Sequence, residues 1–164
     1  MLIGIVSDTH GYFHPALPAY LGDVDLILHA GDIGTAEVLD QLEAIGPTRA
    51  VWGNVDGSEI RRRVPEEQFF EVDGISIRMI HIGGRPGRWA PGILNSLKAR
   101  TPDVFICGHS HILRIDRVPS LGQMLFINPG AAGKQGLHRV KTCVRLEIEN
   151  GQLKQAEVVH LDET

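Results

Sequence analysis

Seven polar residues, in order along the chain, are of types that can hold metal ions: Asp8, His10, Asp32, Asn54, His81, His109 and His111. Each follows an apolar run with the character of a strand. Asp8 and His10 follow residues 2–7, Asp32 follows 25–29 through Gly31, and Asn54 follows 48–52 through Gly53. His81 follows 75–80, and His109 and His111 follow 103–107 through Gly108. Imidazoles with carboxylates and one neutral amide oxygen suit manganese, zinc, iron or nickel rather than an all-oxygen calcium cage. The absence of a cysteine ligand argues against a structural zinc site. In an extended segment, residues two apart project to the same side, which would pair Asp8 with His10 and His109 with His111. Seven ligands are too many for one tetrahedral ion and suit two ions sharing a carboxylate. Ions ~3.5–4 Å apart are the usual clamp for in-line phosphoryl displacement. Asp-x-His arises often by chance, whereas Gly-His-Ser-His is more specific. The isolated His29, His138 and His160 read as structural or solvated imidazoles.

The elements that must carry these residues follow from the pattern around them. Helices are expected over 15–21 and 35–45, the second from Val38, Leu39, Leu42 and Ile45 at helical spacing. Thr35 is expected to cap that helix, and Gly46-Pro47 to end it. The first third therefore reads β-α-β-α-β, with parallel strands and right-handed crossovers. The carboxyl ends of such strands lie along one edge, where ligand sites form. Beyond residue 52 the chain turns strand-rich. Strands at 69–72 and 75–80 flank Asp73-Gly74, a helix is expected over 90–99, and strands follow at 103–107, 112–118 and 124–127. Two final strands, 142–149 and 152–160, flank Asn150-Gly151, a strong hairpin signal. Arg61 to Arg63 read as a solvated basic turn. Residues 83–92, "GGRPGRWAPG", read as a long irregular loop. Its Arg85, Arg88 and Trp89 form either a solvated loop or subunit contact, or a lid contacting phosphate and stacking on a ring. The expected fold class is α/β: two mixed β-sheets packed as a sandwich flanked by α-helices, in a single domain over 1–164.

Composition bounds the partners. The chain has 164 residues, 43% of them apolar, and a net charge of -4 from 16 basic and 20 acidic residues. That argues against coating duplex nucleic acid or an anionic membrane, since both need a dominant basic face. No apolar run approaches the ~20 residues needed to cross a bilayer. The apolar start, "MLIGIV", has no basic flank and gives way to Asp8, so it does not read as a signal peptide. Cys107 and Cys143 are too few for a disulfide framework and read as buried free thiols. A cytoplasmic location is expected.

The segments "SDTHG", "HAGDI", "GNVD", His81, "GHSH" and "INPGA" occur in that order. In them the chain resembles the calcineurin-like metallophosphoesterases, and among these the small YfcE-like phosphodiesterases, from Met1 to about Gly133. The resemblance implies a four-layer sandwich with helices outside and two divalent transition-metal ions at the strand ends, manganese first, with zinc, iron or nickel as alternatives. It implies that Asp8, His10, Asp32 and His111 hold one ion, and Asp32, Asn54, His81 and His109 the other. Asp32 would bridge them beside a hydroxide whose pKa falls from ~15.7 toward neutrality. The catalytic residues would then be Asp32, Asn54 and His81, acting through that hydroxide, with Asn54 ligating without added negative charge. The implied activity is hydrolysis of a small organic phosphodiester or nucleotide; a homo-oligomer is compatible with it. A phosphomonoesterase or nuclease could use the same site. A non-catalytic scaffold, as in the small retromer subunit of similar fold, would not need all seven ligands.

Three departures from the wider family stand out. Val55 replaces the histidine that often follows the GN asparagine, Thr35 stands where a last aspartate is common, and "HIGG" changes the glycine pattern after His81. Asp56 is expected to orient a neighbouring ligand such as the His10 ring. Asn128 is expected to hydrogen-bond within a turn below the site.

Overall fold

Strands β1 (Leu2–Val6), β2 (Leu26–His29) and β3 (Thr48–Ala50) lie parallel, connected by α1 (Leu17–Leu21) and α2 (Ala36–Ile45). After α3 (Ser58–Arg63), the hairpin β4 (Glu67–Val72) and β5 (Ile75–Ile80) turns at Asp73-Gly74. A two-residue ribbon, β6 (Gly84–Arg85) with β7 (Arg88–Trp89), leads to α4 (Ile93–Ala99). Then come β8 (Val104–Ile106), β9 (Arg114–Val118), β10 (Met124–Asn128), β11 (Thr142–Glu149) and β12 (Gln152–His160). The computed structural model describes residues 1–163.

Two mixed five-stranded sheets result, in the orders β12-β11-β1-β2-β3 and β4-β5-β8-β10-β9. Period-two patterning decides which side chains meet between them. Ile3 and Ile5 of β1, Val144, Leu146 and Ile148 of β11, and Ile75, Ile77 and Met79 of β5 fill one buried layer with Val104, Ile106 and Ile127. The opposite faces are covered by helices. Leu17 and Leu21 of α1 and Val38, Leu39 and Leu42 of α2 pack on Val6, Ile27 and Ala50. Ile93 and Leu97 of α4 pack on Phe105, Met124 and Phe126. The result is the expected sandwich with helices outside. Ten residues of α2 are too few to hold a helix alone. Its buried Val38, Leu39 and Leu42 each contribute about 1.5–3 kcal/mol, so packing rather than propensity holds it. No helix among the described residues is long and apolar enough to cross a membrane.

The structure corrects several local expectations. Thr35 occupies the cap position of α2, but its side chain makes no capping hydrogen bond. Arg61 to Arg63 are not a loose turn but the last turn of α3. Arg61 lies over the Trp52 ring at 3.9 Å, and Arg63 pairs with Asp40 and Glu43. Residues 83–92 are not irregular, because they contain the β6–β7 ribbon, and α4 starts only at Ile93. Trp89 is no free lid residue. Its ring meets Phe105 and Phe126 edge-on at centroid distances of 6.0 and 5.8 Å. Cys107 and Cys143 are buried free thiols as expected, and burial pushes both up to about 12.

Candidate metal centre

β1, β2 and β3 run parallel in one sheet, and β5, β8 and β10 run parallel in the other. The chain leaves β1, β2, β3, β5 and β8 at one end of the sandwich, and the ligand candidates stand there. Backbone bonds tie the exits together. The Asp8 amide donates to Gly31, His10 to Asp32, and Gly108 to His81. All seven candidates meet at this end.

They form two groups of close ligand atoms: Asp8, His10 and His111, and Asp32, His81 and His109. His111 Nε2 stands 3.2 Å from Asp8 Oδ1, and His81 Nε2 stands 3.1 Å from Asp32 Oδ2. Asn54 joins the second group through its Oδ1, 3.1 Å from His109 Nδ1. The groups touch: Asp32 Oδ2 is 3.7 Å from His10 Nε2, and Asp8 Oδ1 is 3.8 Å from His81 Nε2.

These pairs do not arise from extended segments, as the sequence spacing suggested. Asp8, His10, Asp32, His109 and His111 all have positive φ, between 47° and 70°. Left-handed backbone costs a non-glycine residue about 1–2 kcal/mol, so each of these five positions stores local strain. The gain is tight turns that aim several side chains into one small volume.

Each carboxylate is held by one oxygen and presents the other. Asp8 Oδ2 accepts the Ser7 hydroxyl at 2.7 Å and the His109 amide at 3.1 Å, while Oδ1 is buried without a hydrogen-bond donor. Asp32 Oδ1 accepts the Val55 amide at 3.0 Å, while Oδ2 faces the imidazoles. The His81 ring is fixed likewise. Its Nδ1 lies 2.7 Å from the Ala30 carbonyl, which can only accept, so Nδ1 carries the proton and Nε2 offers a lone pair. Nε2 is also buried without a partner.

Two carboxylates and an unprotonated ring nitrogen converge with no donor among them. Burial alone would push the Asp8 carboxyl up, but the His10, His111 and His81 rings outweigh it and hold it well below the usual range. Burial likewise works against ionisation of Asp32, and His81 and the Val55 amide bring its pKa down. Burial disfavours charge on His81, yet Asp32 and Asp8 raise its pKa; Asp8 does the same for His10. An arrangement that needs positive charge at its centre, with mixed N and O donors, fits divalent transition metals.

Close approach of backbone to these carboxylates explains two glycines. A Cβ on Gly53 would stand 2.1 Å from Asp32 Oδ1, and one on Gly108 2.6 Å from Asp8 Oδ2.

Asp56 does not orient the His10 ring. Its carboxylate accepts the amides of Ile33 at 3.1 Å, Gly34 at 2.8 Å and Gly53 at 2.8 Å, binding the Asp32 turn to the Asn54 turn. Asn128 is a structural hydrogen-bonder, donating to the Gly108 carbonyl and the Ser110 hydroxyl. His29 is structural too, bonded to the Thr9 hydroxyl and the Gly31 amide. His138 was not singled out from sequence as part of the site, yet its ring packs edge-on against His111 at 5.1 Å and its Nε2 lies 2.7 Å from the Gly133 carbonyl. It follows no strand, so nothing in its spacing marks it. Arg85 and Arg88 stay exposed on the ribbon and belong to neither ligand group.

Comparison with known proteins agrees with this geometry. Residues 1–151 match the model of the calcineurin-like phosphoesterase superfamily domain. A probable metallophosphoesterase of Methanocaldococcus jannaschii is 36% identical over 158 residues, covering 92% of this chain and 77% of the relative. One from Mycoplasma pneumoniae is 30% identical, covering 91% of both chains. Among solved structures, Vps29 of Entamoeba histolytica complexed with zinc superposes with a TM-score of 0.73 at 21% identity, over 98% of this chain and 99% of that one. Vps29 of Chaetomium thermophilum gives 0.75 at 17% identity, over 97% of each. At such identities the likeness is one of fold.

Proposed function

Since the chain belongs to the calcineurin-like phosphoesterase superfamily, we propose that it hydrolyses small organic phosphodiesters or nucleotides at a two-metal site. The observation that carries this reading is the position of Asp32 Oδ2, within 3.7 Å of imidazoles from both ligand groups. Asp32 would thus be shared by two cations, one held by Asp8, His10 and His111, the other by Asn54, His81 and His109. Divalent cations, when bound, supply Lewis acidity to a phosphoryl group and acidify water. Manganese is the first candidate, and the same N/O donors accept zinc, iron or nickel.

The protein's own residues do the rest. Ser7 and the His109 amide fix Asp8, the Val55 amide fixes Asp32, and the Ala30 carbonyl fixes the tautomer of His81. Asn54 completes the second group without adding charge, which keeps the pair electrophilic. Val55 offers no proton to a departing alkoxide. That favours diesters with acidic leaving groups over alkyl monoesters.

The test compares bis(p-nitrophenyl) phosphate with p-nitrophenyl phosphate, using manganese-loaded protein. Faster diester hydrolysis, abolished in Asp32→Asn, is expected. No turnover of either ester with any divalent metal overturns the reading and favours a scaffold. The scaffold alternative draws on one observation, the exposed Ile82 and Ile112 near the site in a fold shared with Vps29.

A further inference from the structure

A cavity of about 560 Å³ opens beside His109, between the Gly108–Ser110 turn and the β6–β7 ribbon. Its volume falls within the roughly 300–1,000 Å³ of small-ligand sites. Trp89 and the buried Phe126 line it, with the exposed Ile82 and Ile112 nearer solvent. Trp89 is pinned by Phe105 and Phe126, so this wall is preformed. An apolar, aromatic-lined space of this size suits a ring system.

The ribbon adds a charge that nothing nearby answers. Arg85 and Arg88 are paired directly across it through the backbone, and among the described residues neither guanidinium has a hydrogen bond or ion pair. Like charges directly opposite on paired strands destabilise each other. Arg114, which also lines the cavity, is different, because its guanidinium is met by Asp116. Two unneutralised guanidiniums at the edge of an apolar cavity match an anionic group in planar, charge-assisted recognition.

We propose that this cavity takes the leaving-group half of the substrate, and that this half is a ring-bearing alcohol carrying a second phosphate held by Arg85 and Arg88. The inference rests on the phosphodiesterase reading, which places the first phosphate at the two ligand groups beside His109. Hydrolysis adds water across one P–O bond. The hydroxyl of that water goes to phosphorus, so the other half's phosphomonoester forms at the ligand groups. The departing oxygen takes its proton from solvent water, since Val55 offers none, and the alcohol leaves through the cavity with its own phosphate.

Affinity for a ligand that mimics the leaving half still joined to the scissile phosphate tests this apart from turnover. Calorimetry on manganese-loaded protein compares adenosine 3′,5′-bisphosphate with adenosine 5′-monophosphate. Wild type is expected to favour the bisphosphate by about tenfold or more, the worth of one charge-assisted pair. The double variant Arg85→Gln/Arg88→Gln is expected to bring the ratio near one. Both residues are exposed, so the variant keeps the core intact. A wild-type ratio near one, or a ratio unchanged in the variant, overturns the inference. Failure of bis(p-nitrophenyl) phosphate hydrolysis instead overturns the phosphodiesterase reading, since that ester carries no second phosphate.

Discussion

The backbone amide of Val55 donates to Asp32 Oδ1 at 3.0 Å while the residue as a whole is 51% exposed. The residue after Asn54 therefore serves the carboxylate through its main chain, and its side chain is free to vary. Val55→His is expected to leave metal content unchanged and to shift the diester-to-monoester kcat/KM ratio by about tenfold or more, within the reach of a positioned proton donor. Metal analysis and paired kinetics check both halves. Loss of metal in the variant would show that the side chain, too, supports Asp32.

Asp56 is 3% exposed and accepts three amides from two turns that carry ligands. Asp56→Ala leaves three donors without partners in a buried place, a cost of about 3–5 kcal/mol. Urea unfolding should show that loss, and metal titration should weaken in parallel, because Gly53 and Ile33 flank Asn54 and Asp32. A loss of stability with undiminished metal affinity would separate the two turns from the ligands they hold.

Gly53 and Gly108 permit backbone to approach Asp32 and Asp8 more closely than any Cβ allows. Gly53→Ala must displace Asp32 Oδ1, and Gly108→Ala must displace Asp8 Oδ2 or Ser7 Oγ. Each is expected to weaken metal binding about 10–100-fold, as losses of ligand support do. Wild-type affinity in either variant would mean that the turns relax around the added methyl group.

The order and placement of the ligands were legible in the sequence because parallel strands buried on both faces appear as plain apolar runs, and the polar residue after each run stands out. Other features had no such trace. The left-handed turns at Asp8, His10, Asp32, His109 and His111 are made by residue types that also serve in extended backbone. The amides that occupy Asp56 lie up to 23 residues away, and main-chain donors leave no mark in residue type. Helix α3 buries only Ile60, so it shows no apolar periodicity. The β6–β7 ribbon is too short for alternation to appear, and its anchoring by Trp89 depends on Phe105 and Phe126 from later strands.

His29 is fully buried, and burial lowers its pKa from 6.5 to about 4. The native ring stays neutral between those values while the unfolded ring takes up a proton. The unfolded state then binds more protons, so stability falls as pH drops from 6.5 toward 4. The term amounts to about 3 kcal/mol when fully developed. His29→Gln removes it, together with bonds to Thr9 and Gly31. The variant should be weaker at neutral pH yet lose less stability between pH 7 and pH 5 than wild type. Parallel pH profiles for the two proteins would show that His29 titrates normally in the fold.

Metal removal should destabilise the whole fold, not only silence the site. Asp8 Oδ1 and His81 Nε2 are buried acceptors with no donor, and Asp32 Oδ2 faces the same space. They follow β1, β5 and β2, in both sheets, so cations held among them would join the two halves of the sandwich. Ligands that bind only the native state stabilise it by mass action, about 2.7 kcal/mol per site at one hundred times the dissociation constant. Thermal scans with and without chelator should show a drop in Tm, restored by manganese or zinc. Calorimetry should resolve two binding events. Asp32→Asn, which weakens the shared ligand, should blunt both events, whereas His111→Ala should weaken one and spare the other. A single event in wild type, or equal loss of both in His111→Ala, would contradict two cation positions joined through Asp32.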